Sequence, residues 1–315
     1  MTLLFSTVVL SLAWFAVANA VASLAVLLLA AVRGTSIVSG ARMLLVLRLM
    51  PFASGAILAA VLFAPAHIAL EPRNPDERFG MVVYVAALVA IALIARSGWR
   101  VLSVLRGEWR LRAALADAVP VPASARAEAW EVSWIRGISL AGILRPRVLV
   151  GRAARLALTA AELDAAVAHE LAHRRAHDNL KRFLMLCVPD LFGATPAATR
   201  LESAWRAEAE CLADGVAAGG DQERAATLAS ALVKVARLAH DTNPTCSPAW
   251  STFYEPGILE SRVRRLVAAE RPDLVRRRRS WPMLAGVAAA TAGAWLGGVP
   301  ATLHGLTELA IQLLP

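Results

Sequence analysis

Residues 2–32 contain no charged side chain, and this run constrains the fold more than any other feature of the sequence. About 20 apolar residues in a helix are enough to cross the hydrocarbon core of a bilayer. A cleaved signal peptide is the alternative, but it would place basic residues before a shorter apolar core, and residues 1–10 contain none. The sequence therefore predicts an uncleaved membrane-spanning helix here.

Three further apolar runs are long enough to span, at about 49–70, 79–95 and 281–303. The last is rich in Gly and Ala, as helices that pack closely in a bilayer often are. Hydrophobic residues make up 57% of the chain and charged residues 18%, whereas ordinary soluble domains have about half and about a quarter. The predicted organisation is a three-helix transmembrane region at 1–98, a domain at 99–280, and a fourth transmembrane helix with a short tail at 281–315.

The distribution of arginine predicts the orientation of these helices. The loop at 71–78 is mixed in sign, whereas the first loop and the 97–280 segment have an excess of arginine. By the positive-inside rule those two parts are cytoplasmic and both termini lie outside, as in a multi-pass protein of a bacterial-type inner membrane. The arginines in question are Arg33, Arg42 and Arg48, those of residues 96–112, and the run 276–279.

The net charge of +9 raises the alternative of nucleic-acid binding. The basic residues lie beside apolar runs, however, and no basic stripe interleaved with aromatic residues is present. The chain contains three cysteines, an odd number, widely spaced and without a CxxC-like pair, which argues against a disulfide framework. We therefore expect the lipid bilayer as a partner, and no nucleic acid.

The segment between the third and fourth runs has a more ordinary composition. It begins with a basic amphipathic helix at 99–118, and short strand candidates lie between residues 130 and 151. Thr159 and Glu162 have the spacing of a capping box, which predicts a helix over 160–176. Residues 183–198 are apolar but too short to span and contain two prolines, which favours a hairpin that rests against the membrane or closes over a cleft.

The helix predicted at 160–176 contains the sequence His169-Glu-Leu-Ala-His173. Residues four apart share one helix face, so the two imidazoles can converge on one metal ion. Glu170 points to the side, where it reaches a metal-bound water and suits a general base. The metal lowers the pKa of that water and polarises the scissile carbonyl. The motif therefore predicts one zinc ion per chain. The alternative is that the match arose by chance on an amphipathic helix.

A catalytic zinc needs a third protein ligand and an open fourth position. His177 lies about 6 Å further along the helix axis than the second histidine, which places it near the site or in solvent. The next predicted helix, 202–218, offers Glu210 as the ligand and Asp214 as an acceptor for the second N–H of a ligating imidazole. Glu208 is the other candidate ligand, and a solvated acidic face is the alternative to both.

Three motifs in this segment carry a resemblance to a known family. They are His169-Glu-Leu-Ala-His173 with the following Arg174-Arg-Ala-His-Asp178-Asn179, Arg145-Pro-Arg-Val-Leu-Val-Gly151, and Leu259-Glu-Ser-Arg262-Val-Arg-Arg-Leu266. Together they resemble the BlaR/MecR-type membrane peptidases, which are related to the HtpX and CAAX-prenyl-protease groups. The resemblance covers roughly residues 139–267 and the four-span layout.

The resemblance implies a mainly α membrane protein in which four transmembrane helices carry an inserted α+β zincin-like (gluzincin) metallopeptidase domain. In such an enzyme His169, His173 and Glu210 bind zinc and Glu170 is the general base. The implied substrate is a cytoplasmic or membrane-proximal protein, with a transcriptional repressor or the protein itself as candidates, and membrane-protein quality control is the variant. The alternative is a transmembrane signal transducer or scaffold with a structural zinc, which would have no need of Glu170.

The sequence departs from the family in two places. In the sensors a long extracellular penicillin-binding domain follows the last span, and only residues 301–315 follow it here, so antibiotic sensing by that route is not expected. HtpX-like members tend to carry His-Pro before the late arginine helix, where this chain has Glu255-Pro256. The residue that contacts the substrate or the oxyanion of the transition state is therefore open among His240, Tyr254 and Arg262.

Overall fold

In a computed structural model, the chain is mostly helical and contains one small mixed sheet. It divides into two units, Met1–Trp99 with Val188–Glu202 and Arg276–Pro315, and Arg100–Cys187 with Ser203–Val275. Each unit has its own buried apolar clusters. The structure describes residues 3–33, 40–70, 79–115, 118–121, 129–239, 251–252, 257–268 and 281–313.

The first unit contains three helices that are long and apolar enough to cross a membrane, judged by length and composition. Helix α1 is Leu3–Arg33. The second begins earlier than predicted, with α2 (Ala41–Ala56), and continues through a π-helical stretch into α3 (Ala64–Leu70). The third is α4, which extends over Met81–Ala114 and continues beyond this unit after Trp99. The first three apolar runs are therefore helical, as predicted.

The fourth apolar run differs from the prediction of one helix over about 281–303. It forms α11 (Trp281–Leu296) and α12 (Val299–Leu313), separated at Gly297 and Gly298. Gly298 has a φ of +75°, a conformation that a side chain would disfavour. With 16 and 15 residues, each helix is about 23 Å long, short of the roughly 30 Å hydrocarbon core. A single fourth spanning helix is therefore not found among the described residues.

The segment between α7 (Asp178–Cys187) and α8 (Pro196–Ala218) packs against the helices of the first unit. Asn19 donates to the Pro189 carbonyl (3.2 Å) and accepts from the Leu191 N–H (3.0 Å). Arg48 forms an ion pair with Asp190 (2.6 Å). Within the first unit, residues 188–195 are therefore held to α1 through two backbone groups and to α2 through a side-chain ion pair.

The second unit is built around a five-stranded sheet with the order β1-β2-β4-β3-β5. β2 and β4 are parallel, and the other neighbours are antiparallel. Of the three inner strands, β3 and β4 are the most buried, and a cluster of apolar side chains packs them against the helices that follow. The strands are Val119–Val121, Ala129–Val132, Ile138–Ala141, Arg147–Gly151 and Ser251–Thr252. The helices are α5 (Arg152–Ala157), α6 (Ala160–Ala176), α9 (Gln222–Ala239) and α10 (Leu259–Val267).

Candidate metal centre

Helix α6 has the bounds predicted from its capping box. The Thr159 side chain accepts from the Glu162 N–H, and the Glu162 carboxylate accepts from the Thr159 N–H. The helix ends at His177, whose φ of +57° is the left-handed conformation that terminates many helices. These two ends fix which residues of α6 face the interior, and the histidine face is buried between them.

Two imidazoles and a carboxylate converge at this buried face. The Nε2 atoms of His169 and His173 are 3.1 Å apart. The Glu210 carboxylate, from α8, lies 3.3 Å from each of them, through Oε2 to His169 and Oε1 to His173. All three side chains are fully buried. Ligand atoms bound at about 2.0–2.1 Å to a tetrahedral zinc lie roughly 3.3 Å apart, so this group could hold a metal ion.

The other ring nitrogen of each histidine faces a carboxylate. The Nδ1 of His169 lies 2.9 Å from Asp214 Oδ1, and the Nδ1 of His173 lies 2.8 Å from Asp178 Oδ2. Such pairs fix the tautomer and turn Nε2 toward a metal. Asp214 lies where the spacing on α8 predicted it. Asp178 was missed, although its position directly after the turn that ends α6 was the available signal.

Two buried guanidinium groups border the cluster. Arg262, from α10, donates to both oxygens of Asp214 (2.8 and 2.6 Å), and its Nη1 lies 3.1 Å from Glu210 Oε2. Arg182, from α7, lies 3.3 Å from Glu210 Oε1 through Nη2. Sequence reasoning missed Arg182. Of the three candidates for substrate or oxyanion contact, Arg262 lies in the cluster, whereas His240 and Tyr254 lie outside the described residues.

Two residues that the sequence left open are not part of the metal-binding group. Glu208 is partly exposed, and the group formed among the described residues contains Glu210 in its place. His177 is exposed at the end of α6, as expected from its distance along the helix axis. The acidic face of α8 is therefore not simply solvated, because Glu210 and Asp214 are both buried.

The cluster is electrostatically suited to a cation. Burial alone would raise the pKa of Glu210, but the charges of His173 and Arg262 hold it well below the usual value. Burial alone would lower the pKa of His173, but the Glu210 charge and the Asp178 hydrogen bond raise it to about 10. Burial raises the pKa of Glu170. Glu210 therefore stays ionised and favours positive charge between the imidazoles, which a divalent metal ion would supply.

A scan of the chain against models of protein families finds no match, and a comparison with curated proteins finds none either. The class of protein is therefore defined by the chain's own fold and site. It is a mostly helical chain with three helices long and apolar enough to span a membrane. It also has a buried group of His169, His173 and Glu210 that could hold a metal ion.

Proposed function

We propose that this chain is a membrane-embedded zinc endopeptidase of the BlaR/MecR-like type. The observation that carries the proposal is the convergence of His169, His173 and Glu210, with a fully buried Glu170 next to the first histidine. Two imidazoles, a carboxylate and an open fourth position are typical of catalytic zinc sites. The substrate in this proposal is a cytoplasmic or membrane-proximal protein, with a transcriptional repressor or the protein itself as candidates.

The donor set favours zinc, because imidazole and carboxylate in a small site match its preferred ligands. When bound, zinc lowers the pKa of water and polarises the scissile carbonyl. His169, His173 and Glu210 would hold the ion. Asp178 pairs with the Nδ1 of His173, and Asp214 Oδ1 lies 2.9 Å from the Nδ1 of His169, so each Nε2 is turned toward the ion's position.

Glu170 has the role of general base. Its carboxylate accepts a proton from the attacking water and returns it to the amide nitrogen of the leaving group. Burial raises the pKa of Glu170, which makes its carboxylate a stronger base toward the proton of the attacking water. Arg262 holds Asp214 and lies against Glu210, so in this proposal it positions the ligand set.

We further propose that residues 99–280 form a cytoplasmic zincin-like domain and that both termini lie outside. Arginine-rich loops support this orientation by the positive-inside rule. The fourth crossing in this proposal passes through α11 and α12, with its break at Gly297 and Gly298. Broken helices are tolerated at membrane depth where neighbouring protein satisfies the backbone. At the break itself, Gly297 and Gly298 donate to the Gly293 and Trp295 carbonyls, and the Trp295 side chain donates to the Val61 carbonyl (3.1 Å), which supports a packed neighbour here.

The experiment compares zinc content and proteolysis of the purified full-length protein in three variants. Glu170→Gln removes the base but no ligand, so zinc should stay while cleavage of unfolded casein falls at least about a hundredfold. Glu210→Gln replaces an anionic ligand with a weak neutral one, so zinc and activity should fall together. Glu208→Gln, on the same helix, is the matched control and should retain both.

Two outcomes would contradict the proposal in different ways. An active Glu170→Gln variant would remove the general base and with it the peptidase mechanism. A wild-type protein that holds zinc but cleaves neither casein nor itself would favour the transducer or scaffold with a structural zinc. Loss of zinc from Glu208→Gln, with retention in Glu210→Gln, would show that the third ligand is misassigned.

A further inference from the structure

A basic concavity of about 430 Å³ lies in the second unit, beside the end of α6. One side is the turn between β3 and β4, and the other is the last turn of α6. Three of its residues are exposed arginines and none is acidic. The lining residues are Leu144, Arg145, Pro146, Arg147, Arg174 and His177.

The two sides of the concavity are held together by buried contacts. The Asn179 side chain, which is 1% exposed, donates to the Leu140 carbonyl (2.8 Å) and the Gly142 carbonyl (2.7 Å). This fixes the β3–β4 turn against the start of α7. The Arg147 guanidinium lies 5.1 Å from the centre of the Trp130 ring, which orients it by a cation–π contact. The concavity is therefore largely preformed.

The same contacts fix the concavity relative to the candidate metal centre. Asp178 holds the Nδ1 of His173, and the next residue, Asn179, holds the β3–β4 turn. Arg174 follows His173 directly on α6, so their Cα atoms are about 3.8 Å apart. The concavity therefore borders the end of the helix that carries two of the three candidate metal ligands.

We propose that this concavity is a subsite for acidic side chains of the protein substrate, and that Arg145 and Arg174 select them. The proposal rests on the peptidase function proposed above and adds a substrate class to it. Guanidinium groups pair with carboxylates through two parallel hydrogen bonds, which gives both charge and geometric selectivity.

A peptide fits the concavity better than an anionic lipid headgroup does. Leu144 at the rim is 79% exposed, which offers an apolar contact to a neighbouring residue of a peptide. Asn179 and Asp178 connect the concavity to the catalytic helix within the second unit, where an acidic group can aid cleavage. An anionic headgroup shares the carboxylate's charge, so the experiment below must separate the two.

The test measures peptide binding to full-length Glu170→Gln protein, loaded with zinc, in phosphatidylcholine nanodiscs. Two labelled peptides are compared by fluorescence anisotropy, one of alternating Glu and Ala and one with Gln in place of every Glu. We expect the Glu peptide to bind about fivefold more tightly, since each exposed ion pair changes affinity by roughly 1.4- to 5-fold. The preference should shrink at high salt, which screens exposed charges.

Two double variants locate the effect. Arg145→Gln with Arg174→Gln should reduce the preference to less than about twofold. Arg224→Gln with Arg237→Gln removes the same charge from exposed positions of α9 outside the concavity and should keep the preference. Because Arg174 adjoins a metal ligand, zinc content is measured in each variant, and Arg145→Gln alone should already lower the preference.

Three results would overturn the subsite. They are equal binding of the two peptides, a preference that survives Arg145→Gln with Arg174→Gln, and a preference abolished by adding phosphatidylglycerol to the discs. The last would assign the arginines to lipid headgroups. Because the assay uses an inactive variant, absence of proteolysis in the wild type leaves this result readable. A wild-type peptidase that cleaves both peptides equally would contradict the subsite and leave the peptidase function intact.

Discussion

Asp178 and Asp214 hold the two histidines by different means. Asp214 is itself held by two hydrogen bonds from buried Arg262. Asp178 is held on its other oxygen by Lys181 (2.7 Å), whose side chain is partly exposed. Burial alone would raise the pKa of Asp178, but the His173 hydrogen bond and the Lys181 charge lower it. The carboxylate therefore stays ionised and keeps its hold on His173.

Asp178→Ala should lower zinc affinity about ten- to a hundredfold, because outer carboxylates fix the tautomer and orientation of ligating histidines. Affinity is measured by competition with a chromophoric chelator. Asp164→Ala removes a carboxylate from the start of α6, away from the two histidines, and should leave zinc affinity unchanged. An unchanged affinity in Asp178→Ala would show that His173 needs no partner to present Nε2.

Helix α6 is stabilised at its start by a network around Glu162. The carboxylate accepts from Ser230 (2.7 Å) and Lys234 (2.7 Å) on α9 in addition to the Thr159 N–H (2.8 Å). Burial alone would raise the pKa of Glu162, but these hydrogen bonds lower it to about 2. The network thus joins the start of the helix that carries the histidines to its neighbour.

Glu162→Gln should destabilise the protein by about 1 kcal/mol at neutral pH, because it removes the charge that pairs with Lys234. The pH dependence has a definite sign. The folded pKa of about 2 lies below the unfolded value of about 4.3, so the contribution is present above about 4.3 and lost as pH falls toward 2. Thermal unfolding of wild type and variant should therefore converge between about pH 5 and pH 2. A difference in unfolding temperature that stays the same at every pH would mean that the charge of Glu162 does not contribute to stability.

The 188–202 segment is held to α2 by a buried ion network in the first unit. Arg48 is 1% exposed and pairs with Asp190 (2.6 Å) and Glu202 (2.6 Å). A Cβ on Gly193 would lie 2.8 Å from Arg48 Nη2 and 2.9 Å from Asp190 Oδ1, so a side chain there would displace the ion pair. Asp190 therefore links this segment to α2 at a tightly packed point.

Asp190→Ala should destabilise the first unit by about 3–5 kcal/mol, the usual effect of removing one partner of a buried ion pair. Glu202→Ala should have a smaller effect, because that side chain is 25% exposed and the solvent compensates its loss. Thermal unfolding of the detergent-solubilised variants gives the comparison. Equal losses of stability in the two variants would indicate that burial does not make the Asp190 pair stronger than the Glu202 pair.

At the scale of the whole molecule, the proposed zinc ion joins α6 to α8 in the second unit. Binding to the folded state alone stabilises it, by about 2.7 kcal/mol at a free concentration a hundred times Kd. We therefore expect chelator to lower the unfolding temperature and added zinc to restore it. His169→Ala should abolish that zinc response, since two ligands seldom hold the ion. A zinc response that survives in His169→Ala would place the ion elsewhere.

The orientation of the chain in the membrane is tested by reporter fusions. Fusions after Arg112 and Arg279 should report the cytoplasm, and fusions near Arg73 and at the C-terminus should report the outside. The break between α11 and α12 makes the last fusion the most informative. A cytoplasmic C-terminus would show that residues 281–313 turn back within the membrane and do not cross it.

The sequence by itself determined the properties that depend on a single helix, namely its length, its bounds and the residues that share one face. Three apolar runs formed helices of spanning length because length and composition suffice for that property. The capping box set the bounds of α6, and the four-residue spacing put His169 and His173 on one face. The same rule on α8 selected Glu210 and Asp214, although it could not choose between Glu210 and Glu208 until α8 was packed against α6.

The tertiary structure decided what depends on contacts between distant parts of the chain. Arg262 reaches Asp214 from another helix across 48 residues of sequence, and Asn19 reaches residue 189 across 170. The position of residues 188–195 depends in the same way on Arg48, which lies 142 residues before Asp190. Periodicity and capping act within a few residues, so they indicate which face of a helix is buried. They do not indicate which element will cover that face, because this depends on the packing of the whole unit.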